Sequence, residues 1–350
     1  MSDPGILVTG GAGYVGSHAL LRLRERPFRV VVLDDLSTGR EDAVLHGEFV
    51  HGDVGDMALV RQILRDHDIG LVMHFAAKTV VPESVSSPLL YYDCNTAKTR
   101  NLVECCVEHG VGHFVFSSTA AVYGVPAGGM ANEDSPLLPI NPYGSSKMMS
   151  ERMLTDVSAV EPFRHVTLRY FNVAGSDPQC RIGQSKENCT LLTKVACEAA
   201  MGLRRHVSIY GTDYDTPDGT GVRDYVHVDD IARAHVAAVD YLLDGGPSVT
   251  LNCGYGHGYS VREVMDTMQA VHGKPIDIRF EDRRPGDPPT LIADASRIRS
   301  VLGWQPEHDD LEEILQSALD WEHELRRRRQ GAPPHWQATA ANVRAAASNP

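Results

Sequence analysis

The stretch GILVTGGAGYVGSH, residues 5–18, decides the fold. An apolar run, GILVT (5–9), ends at Gly10, and within a few residues the apolar spacing changes from strand-like to helical. Glycines 10, 13 and 16 stand at this junction. Gly10 allows the tight turn, Gly13 lets the backbone approach a pyrophosphate, and Gly16 lets the helix pack on the strand. The helix begins at Tyr14 and Val15 with unpaired N–H groups and the positive end of its dipole, so the expected ligand is a dinucleotide.

The next strand, RVVVLD (29–34), closes on Asp34 and Asp35. They stand about 20 residues past the turn, where a carboxylate accepts hydrogen bonds from the adenosine ribose. Two acids there repel a 2′-phosphate, which favours NAD over NADP. Asp53, with Val54 in HGDVGD, reads either as a contact to the adenine edge or as the N-cap of the following helix.

Outward from the glycine turn, strand-like runs GEFVHG (47–52), GLVMHF (70–75), HFVFSS (113–118) and HVTLRYF (165–171) alternate with helical patterns near 14–26, 56–67, 88–109 and 142–159. That alternation predicts an α/β fold, a doubly wound parallel sheet of Rossmann type. After Asn172 the pattern loosens, with a helix near 189–201, a strand-like YVHV (225–228) and a helix near 229–243. The expected division is a dinucleotide domain over 1–175, rejoined by 225–245, and a smaller C-terminal α/β substrate-binding lobe from 176–224 and 246–325. Residues 326–350 read as a flexible tail, whose four arginines, 326–329, fit a solvated helix end better than a contact patch.

The net charge of −13 over 350 residues argues against coating nucleic acid, which needs clustered Lys and Arg. No apolar run reaches the roughly 20 residues of a membrane helix, and MSDPGILVTGG has no basic export signal, so a cytoplasmic enzyme is expected. The seven cysteines show no C-x-x-C or zinc-like Cys/His spacing and read as small buried side chains; no metal is expected.

In INPYGSSK (140–147), Asn141 is a good N-cap and Pro142 a good first helical residue, so Tyr143 and Lys147 fall one turn apart on one face. Bringing a tyrosine from its usual value near 10 to about 7 takes roughly 4 kcal/mol of preferential phenolate stabilisation. A nearby ammonium together with a positive nicotinamide ring can supply that, which makes Tyr143 a general base. The strand of FVFSSTAAVYG ends in Ser117, Ser118 and Thr119, at the carboxyl edge of the sheet where such folds bind ligands.

The blocks TGGAGYVG, SSTAAVYG, NPYGSSK, RYFNVAG (169–175), DGTGVRDYVHVDD (218–230) and RRPGD (283–287) occur in this order. Together they closely resemble the UDP-glucose 4-epimerase family of extended short-chain dehydrogenases/reductases, over about residues 5–325. The resemblance implies a tightly held NAD, inversion at sugar C4 of a UDP-sugar through a transient 4-keto form, and a homodimer paired through the helices near 88–109 and 142–159. It implies Tyr143 as base, Lys147 as the group that lowers its pKa and grips the nicotinamide ribose, and Thr119 as a hydrogen-bond partner of O4. Around the cofactor it implies Phe75, Ala76, Ala77, Asn95, Ser117 and Tyr170. Around the substrate it implies Asn172, Arg223, Arg284 and Asp287, with Leu291 at the position whose bulk gates a 2-acetamido group. Structural ion pairs with Asp224 or Asp287 explain either arginine taken singly.

The chain departs from that pattern in places. Lys78 comes one position early, with Thr79 in the matching place, and Cys94 and Asp35 stand where asparagines are usual. Segment 184–193 carries no familiar nucleotide contacts, with Leu192 as a wall residue. A 4,6-dehydratase would carry an acid pair after the strand threonine, and Ala120 and Ala121 stand there instead. Epimerases of other nucleotide sugars remain alternatives, as does a non-catalytic dinucleotide sensor, which would be free to lose Tyr143, Lys147 or Thr119.

Overall fold

The computed structural model describes residues 4–284, 287–331 and 334. A seven-stranded sheet forms its centre, in the order β12-β7-β5-β4-β1-β2-β3. Its strands are β1 (Gly5–Thr9), β2 (Val30–Asp34), β3 (Glu48–His51), β4 (Ile69–His74), β5 (His113–Thr119), β7 (Arg164–Tyr170) and β12 (Val249–Cys253). Every pairing among them is parallel. Strands β1 and β2 are buried at every position, as their uninterrupted apolar runs require when helices cover both faces.

Alternation along the strands divides the apolar side chains between two cores. Ile6, Val8, Val32 and Met73 face one side with Ala19 and Leu20 of α1 (Tyr14–Leu23) and Ile231 and Val239 of α8 (Val228–Leu243). Leu7, Leu33, Val72 and Phe116 face the other, with Val60 and Ile63 of α2 (Met57–Asp66) and Leu102 of α5 (Lys98–Glu108). Strand order reverses between β1 and β4, so a crevice opens at their carboxyl ends.

Between β4 and β5 the chain forms α3 (Val81–Ser86) and α4 (Pro88–Tyr91), and after β5 comes α6 (Pro142–Ser158). The helix expected over 88–109 is in three pieces, because Tyr92–Ala97 forms a π-helical turn between α4 and α5. That turn carries Asn95, whose side chain is spent on a neighbouring loop described below.

The smaller lobe holds a four-stranded sheet, β13-β10-β15-β6, from β13 (Tyr259–Ser260), β10 (Val222–Arg223), β15 (Thr290–Ala293) and β6 (Met130–Ala131). Two further pairs join β11 (Tyr225–His227) to β8 (Asn172–Ala174) and β14 (Ile278–Glu281) to β9 (Val207–Tyr210). Its helices are α7 (Leu192–Ala200), α9 (Val261–His272), α10 (Ser296–Leu302) and α11 (Leu311–Arg329). Segment 249–253, expected in this lobe, is instead the edge strand β12 beside β7, which its alternating VTLNC pattern suits equally well. The four arginines close α11, and Arg328 is tied to the carbonyls of Cys180 and Arg181 rather than left in solvent. The rest of the expected tail, apart from Pro334, lies outside the described residues.

Candidate active site

One cleft of about 450 Å3 runs along the carboxyl ends of the central strands and continues under the smaller lobe. At one end is the glycine turn. Gly10 has φ +72°, and a Cβ there would lie 2.5 Å from the Ala76 nitrogen, so the turn is wedged against the loop after β4. Gly16 is as confined, with a Cβ position 2.3 Å from the Gly10 carbonyl oxygen. Gly13 differs: the nearest atom to its Cβ position is that same oxygen at 3.2 Å, and the cleft lies open on its other side. It is also the N-cap of α1, with no side chain capping the helix. The first-turn amides at Tyr14, Val15 and Gly16 therefore border the cleft as free donors for an anion.

Asp34 sits at the end of β2 with one carboxylate oxygen accepting from the Ala12 N–H (2.9 Å) and the other from the Leu36 N–H (2.8 Å). Burial, with Asp35 adding to it, pushes its carboxyl upward, so a polar partner such as a ribose diol is favourable and a further phosphate is not. An uncapped helix end, an open glycine and paired acids at this spacing fit NAD. Asp35, Val54, Phe75, Ala76 and Ala77 line the same stretch. Asp53 lines it too, but it is not a helix cap: Asp56 caps α2, while Asp53 accepts from the Gly55 N–H at 2.7 Å and pairs with Lys98 at 2.5 Å.

At mid-cleft the start of α6 meets the end of β5. Asn141 caps the helix by accepting from the Gly144 N–H, and Pro142 opens it, which brings Tyr143 to the cleft wall, 7% exposed. Thr119 accepts from the Ala121 N–H at 3.1 Å, leaving its own O–H free for the Tyr143 phenol, which it favours in ionised form. Tyr170 and Tyr91 flank the phenol, Tyr91 edge-on with centroids 6.4 Å apart.

Electrostatics here corrects a sequence expectation. Burial, reinforced by Tyr170, pushes the Tyr143 phenol up rather than down, so it keeps its proton at neutral pH in the unliganded protein. Burial also pulls Lys147 down to about 7, against the opposing charge of Glu151. The Lys147 ammonium does not reach the cleft; it donates to the Ser117 carbonyl at 2.9 Å and lies 4.7 Å over the Phe116 ring. Desolvation outweighs the one-turn spacing that the sequence shows.

Two more expected cofactor residues stand behind the wall. The Asn95 amide accepts from the Lys78 N–H (2.8 Å) and donates to the Lys78 carbonyl (2.9 Å), so it shapes the loop instead of facing the ligand. The Ser117 hydroxyl pairs with His235 at 2.8 Å, deep in the core.

At the far end, Asn172, Arg223, Asp287 and Leu291 line the cleft. Arg223 is occupied by the Asp287 carboxylate and the Val222 carbonyl, so the alternative of an ion pair holds in this state. Arg284 lies off the cleft, its guanidinium 3.6 Å from the centre of the Tyr210 ring. Leu191, rather than Leu192, forms the wall, since Leu192 is already the first residue of α7.

The sequence profile of the NAD dependent epimerase/dehydratase family matches residues 6–254. The chain belongs to this family. UDP-glucose 4-epimerase of Azospirillum brasilense is 53% identical over 325 residues, 93% of each chain. The solved UDP-glucose 4-epimerase of Brucella ovis in complex with NAD superposes with a TM-score of 0.88 at 39% identity, covering 91% of this chain and 98% of that one. The UDP-Glc/GlcNAc 4-epimerase of Campylobacter jejuni is 47% identical, with a TM-score of 0.81 over 92% and 99% of the two chains.

Among the residues that this member of the epimerase/dehydratase family brings to the cleft, Cys94, Lys98, Gln184 and Lys186 have no assigned part in the sequence reading. Lys98 had a usable signal, lying one helical turn past Cys94 on the segment that carries Asn95. Gln184 and Lys186 sit in an irregular loop, where no periodicity tells which side chains face inward. All seven cysteines are free thiols, and two of them, Cys94 and Cys180, are only half-buried. No helix among the described residues is long and apolar enough to cross a membrane.

Proposed function

We propose that the protein interconverts UDP-galactose and UDP-glucose by inverting sugar C4, through a transient 4-keto sugar. The observation that carries this reading is the continuity of one cleft from the uncapped glycine turn, past Thr119 and Tyr143, to Asn172 and Arg223. A dinucleotide and a second nucleotide thus meet at a phenol. The names of the relatives from Azospirillum and Brucella support the choice of sugar pair. Bound NAD supplies the reversible two-electron oxidation of C4.

The chain's residues do the rest. Gly13 and the first turn of α1 hold the pyrophosphate and Asp34 and Asp35 the adenosine ribose, while Lys147, once its ammonium turns from the Ser117 carbonyl toward the cleft, holds the nicotinamide ribose. In the liganded state Thr119 turns its O–H from the phenol to O4 and orients that oxygen toward Tyr143, which takes the O4 proton and later returns it. The phenol is raised in the unliganded protein, so proton removal is confined to the liganded state, where cationic charge adjoins it. Arg223, freed from Asp287, and Arg284, swung from Tyr210, clamp the diphosphate with their planar forks. Asn172 contributes its amide, and Leu291 closes the wall beside the sugar.

Leu291 is 7% exposed on the cleft wall, and its moderate bulk also favours a second reading in which a 2-acetamido sugar is accepted. The name of the Campylobacter relative supports it. We further propose a cytoplasmic homodimer. Exposed Val85, Leu89, Leu90 and Met149 on α3, α4 and α6 form an apolar surface suited to a two-fold contact, and the free thiols suit a reducing compartment. Incubating the purified protein with UDP-galactose, without added NAD, and following the sugar by proton NMR tests the main reading. Formation of UDP-glucose is expected; no conversion even after adding NAD would refute it.

A further inference from the structure

Three residues of α6, each one turn from the next, meet three consecutive residues of β5. Tyr143 faces Thr119, Lys147 donates to the Ser117 carbonyl at 2.9 Å, and Glu151 accepts from the Ser118 hydroxyl. Ser118 is the register partner of Arg169 on β7, and Arg169 closes on the same carboxylate. Its Nη2 donates to Glu151 Oε2 at 2.6 Å and its Nε to both oxygens at 3.1 Å. Both side chains of this pair are 6% exposed. The network continues from Arg169 to the Tyr123 hydroxyl (3.0 Å) and on to Asn252 (2.6 Å).

A buried ion pair is a poor device for stability, because well-packed apolar residues in its place often do as well or better. Its place here suggests another use. We infer that Glu151 is a positioning residue for the reaction proposed above, and on those roles of Tyr143 and Lys147 it rests: its buried carboxylate holds Lys147 charged and fixes the register of α6 on β5.

The groups facing Lys147 make Glu151 the decisive one. His74 on β4 and His235 on α8 are held neutral by burial, at about 3 and about 4. Tyr143 on its own helix and Tyr170 on β7 keep their protons. Arg169 on β7 is a cation. Among the described residues, Glu151 is therefore the anion that opposes the burial drawing Lys147 down to about 7. A neutral Lys147 could neither favour the Tyr143 phenolate nor keep its charge beside the cofactor, so the carboxylate decides how much of the protein is competent at neutral pH.

The test uses the full-length protein labelled with 13C at Cε of its six lysines, with Lys147 assigned by Lys147→Met. Titrated by NMR, Lys147 in Glu151→Gln is expected to lose its proton at least about one unit lower than in wild type, a tenfold loss of proton affinity. Gln keeps the acceptor for Ser118 but leaves Arg169 uncompensated. Arg169→Gln should move the same midpoint upward, since it removes a cation and leaves the anion. A purely structural role would not move the two in opposite directions. The alkaline limb of kcat/KM for UDP-galactose should follow each shift. An unmoved Lys147 midpoint in Glu151→Gln overturns the inference. If that variant does not fold, an unmoved or lowered midpoint in Arg169→Gln overturns it. Absence of turnover in wild type would instead refute the proposed reaction and leave the titration result standing.

Discussion

Two glycines three residues apart on one turn should fail differently when each gains a methyl group. In Gly16→Ala the new Cβ would lie 2.3 Å from the Gly10 carbonyl oxygen, a backbone atom. Relief to an ordinary contact of about 3.4 Å requires a shift of about 1.1 Å in backbone, and overpacking of that kind costs about 1–3 kcal/mol. Replacing a helical glycine returns about 0.5–1 kcal/mol. The net loss of about 1–2 kcal/mol should lower Tm by roughly 1–3 °C for a chain of this size. In Gly13→Ala the Cβ meets protein only at 3.2 Å, and φ is −79°, which alanine adopts freely. Its lower unfolded-state entropy and its poorer capping offset one another to within a few tenths of a kcal/mol, so Tm should hold. The methyl group points into the space where the pyrophosphate must approach, and affinity for NAD should fall at least about tenfold, near 1.4 kcal/mol. Differential scanning calorimetry and NAD titration on both variants separate the effects. A Gly13→Ala protein that binds NAD like wild type, or that melts as early as Gly16→Ala, would refute the placement of the cofactor.

Asn95→Ala should loosen the loop at Lys78 and weaken NAD binding several-fold without touching the ligand, read by the same titration, since two hydrogen bonds to that backbone are lost. His308 is raised to about 9 by its hydrogen bond to Asp229, so its contribution to stability is complete below about pH 6.5 and lost as pH rises through 9. Buried Lys147, held low, acts in the opposite direction over the same window, so the His308 share is read as a difference: allowing for partial solvation, urea unfolding should find the stability advantage of wild type over His308→Gln about 1–2 kcal/mol smaller at pH 9.5 than at pH 6. Leu89→Glu places a charge on the exposed apolar surface and should shift light-scattering mass from dimer to monomer; a wild type that is monomeric would refute the pairing of these helices.

The parallel sheet was legible because β1, β2, β4 and β5 are short apolar runs, because β3 and β7 keep a β-rich centre between helical patterns, and because the glycine turn marks the first crossover. The edge strand β12 was not, since VTLNC follows a helix that rejoins the sheet and nothing in its own pattern says which sheet it completes. Tyr143 and Thr119 were legible from a capped helix start and a strand end. What the sequence could not show is direction: Lys147 and Asn95 have the right spacing but turn behind the wall, and Arg223 and Arg284 have found partners within the chain. Spacing reports which face of an element a residue shares. Burial, which set the protonation of Tyr143 and Lys147 here, depends on what packs over that face.

If Tyr143 and Thr119 work on C4 in a cleft that also holds NAD, what leaves C4 returns to it. UDP-galactose carrying deuterium at C4, incubated with the protein in ordinary water, measures this directly by NMR of the product. The expected product is UDP-glucose that retains the deuterium at C4, with turnover lost in Tyr143→Phe by a factor of at least about 100. UDP-glucose carrying solvent hydrogen at C4, or full turnover in Tyr143→Phe, would contradict it.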